Sequence, residues 1–145
     1  MPVVIDANAA NSLAAANCES SVAILSWVRR GGQVASGGAL QQELSKTNLR
    51  PLLAQWSAAG RLRLLKKEDV DALTGTMEGQ CTSNDSHVLA VLVLSDSNIV
   101  ITGDVDLHKD VENVSIVNYR RKIINCTQGT FSSLRVVRNL LQRFG

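Results

Sequence analysis

Asp6, Glu43, Asp85 and Asp104 each stand where a buried strand or helix is expected to end, so a parallel sheet would bring their carboxylates together. Carboxylates with no His or Cys companions are hard oxygen donors, suited to Mg²⁺ or Mn²⁺ rather than zinc. Such sites handle phosphate esters: a bound water is lowered in pKa to become the nucleophile while the metal offsets charge on the phosphoryl oxygens. Without a cation, the four carboxylates would repel one another and at least one pKa should rise. Asp6 closes the short apolar run Pro2-Val-Val-Ile-Asp6. Asp104 does the same after Asn98-Ile-Val-Ile-Thr102-Gly103, with Asp106 two residues on as an alternative ligand. Open α/β sheets bind ligands outside the carboxyl ends of their strands, where the strand order reverses.

Each acid also has a plainer reading. Asp6 and Asp85 stand where a carboxylate would cap a following helix and favour its dipole. Glu43, beside Leu40 and Leu44, fits an ordinary solvated helix glutamate. His87 and His108 are lone histidines, for which packing or exposure is the default, and Trp27 and Trp56 read as core anchors.

The elements that must position these residues alternate between strand and helix, the pattern of a parallel sheet covered on both faces. The spacing predicts strands at 2–5, 33–36, 61–65, 98–101 and 115–118. The third is read as an edge, because its outward residues are charged. Helices are expected at 19–30, after the Gly37-Gly38 turn carrying Leu40, Glu43 and Leu44, around 52–59 with Pro51 in the first turn, at 68–73, and after Ser83-Asn84-Asp85, where the sequence is apolar nearly all round. Residues 74–80 read as loop, and the tail from 130 to 144 carries Leu134, Val137, Leu140 and Leu141 at helical spacing.

At 145 residues, 45% hydrophobic and with a formal net charge of +2, the chain fits one domain with one core. Its longest apolar run, 88–94, is far short of the ~20 residues of a membrane span. The beginning Met-Pro-Val-Val-Ile-Asp lacks signal-peptide character, which gives a cytoplasmic expectation without a membrane partner. Cys18, Cys81 and Cys126 are odd in number and widely spaced, pointing to reduced structural thiols. Bases cluster at Arg61, Arg63, Lys66 and Lys67, at Arg120, Arg121 and Lys122, and at Arg135, Arg138 and Arg143. They suit phosphates or simply solvent.

Four segments together resemble the PIN domain, the small metal-dependent nuclease fold of VapC-type toxins and of RNA-processing enzymes. They are Val3-Val4-Ile5-Asp6-Ala7-Asn8, Leu40-Gln-Gln-Glu-Leu44, Asn84-Asp85-Ser86-His87-Val88-Leu89-Ala90 and Thr102-Gly103-Asp104-Val105-Asp106-Leu107. The resemblance covers residues 2–118 and implies a three-layer α/β/α fold whose five-stranded parallel sheet has the order 3-2-1-4-5. It makes the chain a single domain, 1–145, with residues 119–145 as the strand-five exit, a basic segment and a final helix that departs from the common toxin ending. It further implies an endoribonuclease using Mg²⁺ or Mn²⁺. Asp6, Glu43, Asp85 and Asp104 would be the acidic quartet, Asp106 an auxiliary ligand, and Asn8 and Thr102 hydrogen-bonding supports. RNA is then the substrate, with an antitoxin protein and a second copy of the chain as candidate partners. Arg120, Arg121 and Lys122, taken to follow strand five, are expected to hold RNA near Asp104. A dinucleotide-binding domain is disfavoured because no glycine fingerprint follows strand one. A phosphorelay receiver lacks its phosphoacceptor Asp, which leaves a catalytically silent PIN-like binding scaffold as the rival.

Overall fold

The computed structural model describes residues 1–127 and 130–145, and for Thr127 only the backbone. In chain order the elements are β1 (Val3–Ile5), α1 (Ala7–Ala15), α2 (Glu19–Arg29), β2 (Val34–Gly37), α3 (Gly38–Leu44), α4 (Arg50–Ala58), β3 (Leu62–Leu65) and α5 (Lys67–Met77). They continue as α6 (Ser86–Leu94), β4 (Ile99–Thr102), α7 (Val105–Glu112), α8 (Val114–Val117), β5 (Lys122–Thr127), β6 (Thr130–Phe131) and α9 (Leu134–Phe144). The fold is α/β, with one mixed sheet ordered β3-β2-β1-β4-β5-β6 and helices consistent with α/β/α layering.

The central strands are buried on both faces, which is why Val3-Val-Ile5 and Ile99-Val-Ile-Thr102 read as unbroken apolar runs without alternation. Val3 to Ile5 pair in parallel with Ile99 to Ile101. From β1 the chain builds outward through β2 to β3, then returns to lay β4 on the other side of β1. The β1/β4 boundary is therefore the switch point of the sheet. One apolar cluster runs from Val3 to Leu141, with α6 deep inside it; Val88 to Leu92 are all fully buried. Gly38 opens α3 at φ +52°, and a Cβ there would meet Val70 Cγ1 at 2.8 Å, so the β2–α3 turn needs glycine on both counts. No helix among the described residues is long and apolar enough to cross a membrane.

Three expectations are corrected. The sheet has six strands, not five, and its order ends in β6, a two-residue strand pairing antiparallel with β5. Residues 115–118 are not a strand: they fall in α8 and the residue after it, because Asn113 Oδ1 accepts from the Ser115 amide at 3.0 Å and starts a helical turn that buries Ile116 and Val117. The β-branched residues suggested a strand there, and local capping outweighed that weak preference. The fifth strand is Lys122–Thr127, so the sheet extends well past residue 118. α5 also continues to Met77 through the segment read as loop, with Val70 and Met77 buried.

Shifting β5 moves the basic triplet. Arg120 and Arg121 precede the strand and Lys122 opens it, in register with Ile99 at the start of β4, whereas Asp104 lies beyond the end of β4. Three residues of strand put about 10 Å between the two edges. Arg121 is buried, donating through Nη1 to Ser97 O (2.7 Å) and Tyr119 Oη (2.6 Å) and through Nη2 to Val117 O (2.7 Å). Arg120 pairs with Glu112. The triplet thus stands at the amino edge of the sheet, and its central member ties the α8–β5 turn to the β4 entrance. Arg121→Met should cost roughly 1–3 kcal/mol by leaving the Ser97 carbonyl without its donor, Val117 O keeping the Tyr119 amide, against less than about 0.5 kcal/mol for exposed Arg120→Gln. Urea unfolding of the two variants reads the difference.

Candidate active site

The carboxyl edge of the switch point gathers the acidic residues through short local geometry. Asp6 leaves β1 and is almost fully buried. Its Oδ2 accepts from Thr102 Oγ1 at 2.7 Å, across the β1/β4 boundary. A hydroxyl has one proton, so Thr102, committed to Asp6, acts as acceptor elsewhere, taking the Asp104 amide at 3.0 Å. Asn8 Oδ1 accepts from the Gly103 amide at 3.2 Å and lies 3.4 Å from the same hydroxyl. Thr102 and Asn8 therefore brace the chain where β4 turns into α7. Asp104 caps that helix: its Oδ1 accepts from the Asp106 amide at 2.9 Å and more weakly from Leu107. Its second oxygen remains for the crevice.

Neither Asp6 nor Asp85 makes a geometrically good side-chain cap, although both hold the residue before a helix. Burial pushes the Asp85 carboxyl up to about 8; a hydrogen bond shared with Asp104 and the negative charges of Asp6, Asp104 and Glu43 act in the same direction. Asp104 moves the opposite way, lowered chiefly by its hydrogen bond with Asp85. The pair shares a hydrogen bond and titrates as a unit, Asp85, the more buried, shifted toward the protonated form and Asp104 toward the ionised one. Asp6 is raised as well, first by burial and then by Asp104, with Thr102, Asn8 and His87 easing its ionisation.

Glu43 comes from α3 and is half exposed; its Oε2 is 3.1 Å from His87 Nε2 on α6. Spacing alone left His87 as a solitary ring, yet its position two residues after Asp85 turns it from the helix start toward Glu43. Asp106 is exposed, and it contributes its backbone N–H to Asp104. Arg120, Arg121 and Lys122 lie at the other edge of the sheet, which removes the positional argument for their contact with RNA beside Asp104.

Asp110 escaped notice in the sequence. It is 1% exposed, and its two oxygens accept from the Thr82 amide (2.8 Å), the Ser83 amide (2.9 Å) and Ser83 Oγ (2.7 Å). An acid at the apolar positions of α7, with Leu107 three residues before it and Val111 after, was the available signal. Since α7 begins at Asp104, one helix both caps itself with a site carboxylate and anchors the loop that delivers Asp85.

Among the described residues, no three His, Cys, Asp or Glu side chains are drawn together tightly enough to form a ready-made cation cage. A hard cation does not require one, because Mg²⁺ keeps several waters and is held by one or two carboxylates plus substrate oxygens. The donor set fits that chemistry, since every oxygen is hard. Asp6, Asp85 and Asp104 would hold such an ion, with Glu43 at the rim. A cleft of about 1020 Å³ between α2 and α9 contains none of the four acids. Comparison with known protein-family models, curated proteins and solved structures finds no match.

Two outcomes are expected. Asp110→Ala should destabilise the protein by roughly 2–3 kcal/mol, through two orphaned amides, measured as a fall in the urea midpoint. In chelator, Asp85 destabilises the fold as pH rises: the unfolded chain loses this proton near ~3.9, the folded protein holds it to about 8, and stability declines between those values. Screening at this half-buried position leaves about 1–2 kcal/mol. Asp85→Asn should flatten the stability curve across that window, and parallel curves for wild type and variant would put that proton elsewhere.

Proposed function

We propose that this chain is a PIN-like, Mg²⁺- or Mn²⁺-dependent endoribonuclease that hydrolyses RNA phosphodiesters through Asp6, Glu43, Asp85 and Asp104, of the kind found in toxin–antitoxin toxins. What supports the reading is that Asp6 and Asp104 leave β1 and β4 side by side, joined through Thr102, with Asp85 near enough to be raised by the charges of Asp6, Asp104 and Glu43. A bound divalent cation supplies an activated water and charge neutralisation for the phosphoryl oxygens. The chain's own part is positional. Thr102 and Asn8 fix Asp6 and the turn into α7, the α7 amides hold one oxygen of Asp104 so that the other faces the crevice, and Asp110 holds the Asp85 loop. Asp85 is raised well above the usual carboxylate range, so a cation held there would displace its proton and bind more tightly as pH rises. Glu43 and His87 stand together at the rim, where they can orient a water or a leaving oxygen.

Labelled RNA incubated with purified protein and Mn²⁺ should yield fragments with 5′-phosphate and 3′-hydroxyl ends, and excess chelator should stop the reaction. Asp6→Asn and Asp104→Asn should each lower the rate by about 10²-fold or more, and Asp6→Asn should leave the metal-free fold as stable or more so, because burial and Asp104 already disfavour its charge. Cyclic phosphate ends, or full activity in chelator, would falsify the mechanism. Inert wild-type protein that still binds RNA would favour the scaffold reading, as would unchanged turnover in both variants.

A further inference from the structure

The cleft of about 750 Å³ between α3, the start of α4 and the edge strand β3 has a charge pattern that the acidic crevice lacks. Lys46, Arg50 and Lys67 line it, together with Gln42 and Leu64, and none of its lining residues is acidic. Asp71, close to its Gly38 wall, is already taken by Lys67 Nζ at 2.6 Å. Lys46 and Arg50 have no ion pair among the described residues. Arg50 also sits in the first turn of α4, where the helix dipole disfavours a cation and no acid compensates it. Leu64, 55% exposed, adds a large apolar surface of the sort that a base or ribose covers.

The cleft opens at the same sheet edge as the crevice. Gly37 and Leu65, paired at the ends of β2 and β3, both line it, and β3 is two strand spacings, about 10 Å, from β1 and Asp6. Helix α3 joins the two features, carrying Glu43 toward the acids and Gln42 into the cleft. We propose that this cleft carries the phosphate backbone of a single RNA strand away from the acidic crevice, with Lys46 and Arg50 as its cation contacts. The inference rests on the nuclease reading for what happens at the acids, and on the cleft's own charge for where the strand lies. The other occupant an edge strand invites, a second copy pairing along β3, is disfavoured by the exposed bases of β3 and its flanks, Arg63, Lys66 and Lys67, which would meet their own kind.

The test is the binding of a fluorophore-labelled oligouridylate, in excess chelator and over a range of salt, to wild type, to Lys46→Gln/Arg50→Gln and to Arg120→Gln. Two lost phosphate contacts should flatten the log–log salt slope by about 1.4 and weaken binding roughly 25-fold at ~0.1 M salt. Arg120→Gln, at the opposite edge, should bind as wild type does. Circular dichroism melts and sedimentation accompany each variant, since all three substitutions are on exposed side chains and the folds should match. Wild-type affinity and slope in the double variant would overturn the proposal, as would absence of oligouridylate binding by wild type or a change confined to self-association. Failure of the two readings is separable. If Asp6→Asn and Asp104→Asn abolish cleavage while the double variant binds normally, only the cleft is wrong. If the double variant loses binding while those acids prove dispensable, only the nuclease reading is wrong.

Discussion

The parallel pairing of β1 with β4 is the constraint on which the rest of this molecule depends. It makes neighbours of two chain segments separated by almost a hundred residues, and both strands stop on polar residues at the same edge. The stop is enforced by burial. Val3 to Ile5 and Ile99 to Ile101 are wholly enclosed, so the first carboxylates the chain can carry are at the exits. Thr102, still buried, then bridges the exits by donating to Asp6 and accepting from Asp104.

That closeness has an electrostatic consequence. Close carboxylates resist full ionisation: Asp6 and Asp85 are raised, while Asp104 is lowered by its hydrogen bond with Asp85 and by the α7 amides that take one of its oxygens. Helix α7 is the mechanical link in this arrangement. Its first residue boundary is a site acid, and its buried Asp110 holds the loop before another. A shift of α7 would therefore disturb two carboxylates together.

Charge is segregated around this centre. The basic triplet before β5 is turned into structure: Arg121 is used up by backbone carbonyls and Tyr119, and Arg120 by Glu112. Lys46 and Arg50, which have no ion pair among the described residues, stand beside β3 at the carboxyl edge instead. The acidic site and the neighbouring basic cleft are separated by α3, which carries Glu43 toward one and Gln42 toward the other, with Lys46 just past its end.

The sequence by itself determined the alternation of elements, the doubly buried character of β1, β4 and α6, the edge position of β3 and the acids at the exits, because burial leaves its mark directly as apolar runs and periodicity. It placed the fifth strand wrongly, since Val114, Ile116 and Val117 suit a strand as well as a helical turn, and only the Asn113 cap together with the pairing of Lys122–Thr127 against β4 decides between them. That error carried the basic triplet to the wrong edge of the sheet. The tertiary structure alone decided which carboxylates share a hydrogen bond, that His87 meets Glu43, that Arg121 is internal, and that Asp110 anchors the Asp85 loop. Each is a contact between residues distant in the chain or a choice among directions for one side chain, and neither is fixed by the period of a sequence.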